Sequence, residues 1–127
     1  MRIHVDGPYG NLKMQPHRYE NVVLIGGGIG ITPLMSILKD IYGTATSPAN
    51  PGRIQNVSLI WTIPTAAELE WFIHDLHIAY ERMLVSTQMS QTHNMWAQHQ
   101  TLPALTCRVF MTRTSTVENY HPMTQGV

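Results

Sequence analysis

"VVLIGGGIGITPLMSIL", residues 22–38, is the stretch on which the fold turns. Val22 to Ile25 is an apolar, largely β-branched run, the pattern of a strand buried on both faces of a sheet. It halts on Gly26, Gly27 and Gly28, and Gly30 follows one residue later. Thr32-Pro33 then reads as a helix start, with threonine as N-cap and proline in the first turn, where its missing N–H would be unpaired anyway. Leu34, Ile37, Leu38 and Ile41 form one apolar stripe at helical spacing, and Gly43 is placed to end the helix. Each glycine in a regular element costs roughly 1 kcal/mol relative to alanine, so four within residues 26–30 mark a place where the backbone must be bare.

Downstream, "GTATSPANPGR" (43–53) holds prolines, glycines and small polar residues and reads as loop. "NVSLIWTI" (56–63) reads as a second strand, closed by Pro64. "TAAE" (65–68) matches the capping box Thr-x-x-Glu, in which each side chain caps the other residue's backbone N–H. Leu69, Phe72, Ile73, Leu76, Tyr80 and Met83 recur at spacings of three and four, so the spacing predicts a long second helix. Val85 to Gln100 has no clear period and reads as a frayed end or long loop, and "LTCRVFMT" (105–112) reads as a third strand. The tail from Arg113 onward reads as largely unstructured. Upstream, "RIHVDGPYG" reads as a short strand ending in the turn Gly7-Pro8-Tyr9-Gly10, and residues 11–20 read as loop. The whole is βαβαβ: an α/β fold with a three-layer, Rossmann-like parallel sheet, truncated to about three strands with flanking helices.

A chain of 127 residues holds one small domain, and its zero formal net charge gives no electrostatic case for nucleic acid or an anionic membrane surface. No apolar run approaches the roughly 20 residues of a membrane span. The N-terminus lacks the apolar core of a signal peptide, and one cysteine, Cys107, excludes an internal disulfide and fits a reducing compartment. A soluble chain without direct membrane insertion is the expectation.

In such a fold the loop after the first strand opens at the carboxyl edge of the sheet, where ligands bind. The N–H groups of the following helix carry partial positive charge and favour a phosphate or pyrophosphate, and glycines let the backbone come close to its oxygens. Thr32 could add a hydroxyl donor. The usual fingerprint Gly-x-Gly-x-x-Gly is not met, because counting from Gly26 and Gly28 its third glycine falls on Ile31. A P-loop is not met either, since no Lys-Ser or Lys-Thr follows.

Three segments in order, "VDGPYG", "VVLIGGGIGITPLMSILKDIY" and "LIWTIPTAAELEWF", resemble the NAD(P)H-binding part of the ferric reductase and NADPH oxidase family, within the ferredoxin–NADP reductase-like group. The resemblance covers roughly Ile3 to Met83. It implies residues 1–10 as the end of a flavin-domain barrel or linker and 11–127 as a partial NAD(P)H-binding subdomain. It implies NADPH or NADH as cofactor, FAD bound by an absent neighbouring domain, and haem in the full-length family. The implied activity positions nicotinamide for hydride transfer to FAD, from which electrons pass to haem and on to ferric iron or oxygen. The implied partners are the flavin-binding domain and the membrane haem domain of a parent protein, at the cytoplasmic face of the membrane. The family's turn near the flavin–nicotinamide junction falls on Gly7, Pro8, Tyr9 and Gly10. Its pyrophosphate loop falls on Gly27, Gly28, Ile29, Gly30, Thr32 and Pro33, and its adenosine-side strand end on Trp61 and Thr62.

This sequence departs from the family pattern in three ways. The flavin domain's Arg-x-Tyr/Phe-Ser/Thr motif is absent. Where many members carry an arginine that pairs with the 2′-phosphate of NADPH, three residues after the strand tryptophan, Pro64 stands, and Trp61–Pro64 holds no Asp or Glu for a ribose hydroxyl. The family's C-terminal Cys-Gly-Pro motif is also absent, and Cys107 lies within a predicted strand. With the family's strand order the first strand would have one neighbour rather than two, leaving a long apolar edge. A fragment, a shortened gene product or a subdomain that finds its missing edge elsewhere is the expectation, with no reductase turnover by itself; the alternative is a non-catalytic nucleotide-binding or interaction module derived from the same fold.

No catalytic residue is expected, because the implied chemistry belongs to the cofactors. No metal site is expected: His74 and His77 lie three apart on the predicted second helix, with no third ligand placed nearby. His93 and His99 have no ligating spacing, and Met35 and Met83 fall at core positions. Asp6 reads as a turn-capping residue. Arg113, after the third strand, reads as either a solvated side chain or a phosphate contact.

Overall fold

Asn56–Ile63 forms the middle strand because its sequence alternates around four large apolar residues, Val57, Leu59, Trp61 and Ile63, all of them buried on one face. The computed structural model describes residues 13–91 and 101–113. Its three strands run parallel in the order β1 (Asn21–Gly27), β2 (Asn56–Ile63) and β3 (Ala104–Met111). Leu24 stands opposite Leu59, and Leu59 opposite Cys107, so the apolar positions of the three strands share a row. Helix α1 (Ile31–Tyr42) links β1 to β2, and α2 (Ile73–Gln91) links β2 to β3.

Right-handed crossovers taken twice in the same direction across a sheet leave both helices on one face. They touch there: Lys39 Nζ of α1 is 3.0 Å from Asp75 Oδ2 of α2. The core lies between helices and sheet, where Met35, Leu38, Ile41 and Tyr42 meet Leu24, Leu59 and Trp61, with Leu76 and Ala79 from α2. The Tyr42 hydroxyl, pushed well above the ordinary tyrosine range by burial, donates to the carbonyl of Pro103 at 3.0 Å.

The expected open parallel sheet with flanking helices is what forms. Of the three layers of a doubly wound fold, the described residues build two. The reading of Val22–Ile25 as buried on both faces is corrected accordingly. Leu24 faces the helices, whereas Val23 is 59% exposed and Ile25 69% exposed on the other side, the face that also carries the similarly open Phe110 two strands away on β3. Among the described strands β1 pairs only with β2 and so forms an edge, as the motif comparison implied.

Two boundaries differ from the sequence reading. A 3₁₀ turn at Gly28–Gly30 precedes α1, so the helix starts at Ile31 with Gly30 as N-cap, and Thr32 sits inside the first turn. The second helical region divides into a 3₁₀ segment, Ala66–Trp71, and α2, which runs on to Gln91 through residues read as a frayed end or loop. Along that last stretch Ser86, Thr87 and Ser90 donate to carbonyls three or four residues back, which satisfies their hydroxyls without leaving the helix. The turn Gly7-Pro8-Tyr9-Gly10, His93, His99 and the tail beyond Arg113 lie outside the described residues.

Candidate nucleotide site

The carboxyl ends of the three strands open at one edge of the sheet, and the glycine turn stands at the end of β1. Each of its glycines meets a different constraint. A Cβ on Gly26 would lie 2.9 Å from Leu34 Cδ1 and 3.4 Å from the Ile31 backbone, so its bareness lets α1 press against β1. A Cβ on Gly27 would lie 3.2 Å from the Thr62 hydroxyl oxygen, which places Thr62 beside the turn. Gly28 has φ +50°, a conformation that strains any residue with a Cβ. Gly30 differs in its backbone, with φ −61°, and, as at Gly28, nothing lies within 4 Å of where its Cβ would be. Space above a helix start, with backbone permissive for any residue, is the kind of opening an anion's oxygens could enter.

Trp61 holds this turn from beneath. Its side chain is 0% exposed, its ring meets Phe72 edge-on at 6.2 Å, and its indole Nε1 donates to the carbonyl of Gly28 at 2.9 Å. The Ile31 N–H also turns back onto this segment, to the carbonyls of Gly28 and Ile29. The Thr32 hydroxyl donates to the Ile29 carbonyl at 2.9 Å and so braces the same turn. No side chain caps α1. Its dipole therefore keeps its positive end at the turn, with no acidic residue of its own in the first turn to offset it. Ile29, 68% exposed, projects from the turn.

The neighbouring strand end is closed by its own residues. The backbone N–H of Thr65 donates to Glu68 Oε2 at 3.1 Å and the Thr65 hydroxyl to the same oxygen at 2.6 Å, in the capping box the spacing predicted. The Thr65 hydroxyl is the main reason that the Glu68 carboxyl sits below its ordinary range; the backbone N–H groups add to this, and the charge of Arg113 adds least. Past β3, Thr112 N–H donates to the Ile63 carbonyl and Arg113 N–H to the Pro64 carbonyl, each at 2.9 Å. Arg113 thereby stands level with Pro64 at this edge.

The structure thus brings together Gly27, Gly28, Ile29, Gly30, Thr32 and Pro33 in one turn, with Thr62 alongside and Trp61 below it. Two features were missed from sequence. Gly26 is the close-packing glycine, which its place before the helix could have signalled. The indole bond from Trp61 to Gly28 had no sequence signal, because it joins residues 33 apart. Elsewhere, His77 Nε2 lies 3.0 Å from Glu81 Oε1 on the exposed side of α2, and among the described residues no three His, Cys, Asp or Glu gather as a metal site. Cys107 is partly buried within β3, and burial pushes its thiol up. No helix among the described residues is long and apolar enough to cross a membrane.

An open parallel α/β sheet with a bare, uncapped glycine turn at its carboxyl edge is the architecture of nucleotide-binding domains. Residues 19–121 match the ferric reductase NAD-binding domain, and the chain belongs to that family. It is 37% identical over 73 residues to a dual oxidase of Drosophila melanogaster, an overlap of 57% of this chain and 5% of that protein. It is 35% identical over 82 residues to NADPH oxidase 1 of Mus musculus, covering 65% of this chain and 14% of that protein. Dual oxidase 2 of Homo sapiens is 37% identical over 70 residues, covering 55% and 4% respectively. The chain therefore spans a small fraction of the length of these relatives.

Proposed function

We propose that this chain is the NAD(P)H-binding part of a flavin-dependent oxidoreductase of the ferric reductase or NADPH oxidase type, which positions nicotinamide for hydride transfer to FAD. The observation that carries the reading is the Gly28–Gly30 turn, open above Gly30 and held from below by Trp61, in a chain of an NAD-binding family. When bound, the dinucleotide supplies a hydride from its nicotinamide ring. Everything assigned to this chain is binding and orientation. Gly28 and Gly30 admit pyrophosphate oxygens to the start of α1, whose dipole favours their charge. Thr32, Pro33 and Trp61 keep the turn in shape, and Thr62 borders it on the β2 side. Gly7, Pro8, Tyr9 and Gly10 are assigned to the flavin-facing junction. FAD and haem belong to other domains of a membrane-bound parent, with this part on the cytoplasmic side. Separated from them, the chain binds nucleotide without turnover.

The test is titration calorimetry of the full chain with NADPH and NADH, alongside Gly30→Val. Valine fits the backbone there and fills the space above it, so the variant should keep its melting temperature and lose binding by tenfold or more. Unchanged binding by Gly30→Val would move the nucleotide away from this turn. A folded chain that binds neither nucleotide would sink the reading.

A further inference from the structure

We infer that Arg113 is the residue by which this site tells a dinucleotide carrying a 2′-phosphate from one that lacks it. The inference rests on the reading above and names the ligand class it would prefer. In this architecture the adenosine ribose lies at the carboxyl end of the second strand, where a carboxylate suits a free 2′-hydroxyl and a nearby arginine suits a 2′-phosphate. The end of β2 here, Trp61 to Pro64, supplies neither, and Pro64 has no N–H to donate. The neighbouring strand fills that place. The ladder continues past β3 through Thr112 N–H to Ile63 O and Arg113 N–H to Pro64 O, both 2.9 Å, which fixes the Arg113 backbone beside the end of β2.

Charge bookkeeping among the described residues points the same way. Lys39 is paired with Asp75, Arg53 with Glu20, and the Arg82 guanidinium donates to the carbonyls of Tyr42 and Thr44. Lys13 and Arg18 precede β1 in the chain, Arg18 at the opposite edge, and Arg108 lies within β3 opposite Ile60. Arg113 is the cation at the carboxyl edge; it is exposed and has no ion-pair partner among the described residues. Its charge reaches Glu68 only as the weakest of the influences on that carboxyl, whose Oε2 is already taken by Thr65. A guanidinium held by its backbone and free at its tip offers the planar, paired donors that a phosphate monoester accepts. Glu68 nearby limits the gain, so discrimination of about tenfold is expected rather than the hundredfold or more of a fully desolvated pair.

The experiment is calorimetric titration of the full chain, as wild type, Arg113→Ala and Arg113→Lys, with adenosine 2′,5′-bisphosphate and with ADP. The wild type should bind the bisphosphate about tenfold more tightly than ADP. Arg113→Ala should erase that preference while leaving ADP affinity unchanged, and Arg113→Lys should keep part of it, since the charge remains and the fork is lost. Equal affinities in the wild type would overturn the inference. So would an Arg113→Ala variant that weakens both ligands alike, or one that keeps the preference. ADP binding that Gly30→Val abolishes, without any 2′-phosphate preference, would reject Arg113 and leave the glycine turn standing. Failure of the folded wild type to bind either ligand would remove both readings together.

Discussion

Two strand-to-helix turns share the carboxyl edge of this sheet, and they solve the same problem in opposite ways. Any helix start leaves N–H groups without intrahelical partners. After β2, the protein answers with its own side chains: Thr65 and Glu68 close on each other, and the carboxylate takes the place an anion would have. After β1 no side chain caps the helix; the turn is braced from below by Trp61 and from the side by Thr32, and its upper surface is left bare. A turn that is capped is finished. A turn that is braced but uncapped is rigid and still has something to bind, which is why the first, not the second, is the candidate site.

Four substitutions would sharpen or break this contrast. Trp61→Ala should be the most damaging, because it empties a fully buried site and releases the Gly28 carbonyl: a loss of about 3–5 kcal/mol is expected in denaturant unfolding. A loss below about 1 kcal/mol would mean that the brace is not rigid. Next, Gly28→Ala and Gly30→Ala should separate within a single turn. At φ +50° alanine should cost about 1–2 kcal/mol. At Gly30 it should be neutral or stabilising by a few tenths of a kcal/mol, by restricting the unfolded chain. Equal melting temperatures for the two variants would contradict the backbone described here. The capped turn offers the counterpart: Thr65→Ala should cost about 1 kcal/mol at neutral pH. Glu68 has a folded-state pKa below its unfolded value, so the box contributes stability above the unfolded value and loses it as pH falls through the folded one. Removing Thr65 takes away the main cause of that shift, so the variant's melting temperature should fall less steeply than the wild type's between about pH 7 and about pH 3.

The parts legible in the sequence were those set by neighbours in the chain. β2 alternates, the Thr65–Glu68 box is a four-residue pattern, and the four glycines announce a bare turn wherever they occur. The errors arose where the answer depended on something distant. Val23 and Ile25 are as apolar as Leu24, and nothing in their own segment says that the second face lacks a covering layer among the described residues. Thr32 has the chemistry of an N-cap, but the 3₁₀ turn moved the helix start ahead of it. Ser86, Thr87 and Ser90 look like helix breakers until their hydroxyls are seen folded back onto the carbonyls behind them. Of the candidate site, the glycines and Thr62 were visible from spacing and resemblance. The place of Arg113 beside Pro64 was not, because it depends on the register between β2 and β3.

The parallel order β1-β2-β3 also sets a clock. No strand here can pair with its neighbour through a tight hairpin; Asn21 and Asn56, side by side in the sheet, are 35 residues apart in the chain. A helix can form in about a microsecond, but each of these pairings must first close a helix-length loop, so α1 and α2 will flicker in an unfolded chain well before any ladder exists to receive them. β2 is the strand both neighbours wait for. Until it is in place, the apolar run from Val22 to Ile25 has nothing to zip onto, and the interval before it does is the time in which a newly made chain is most exposed to its own copies.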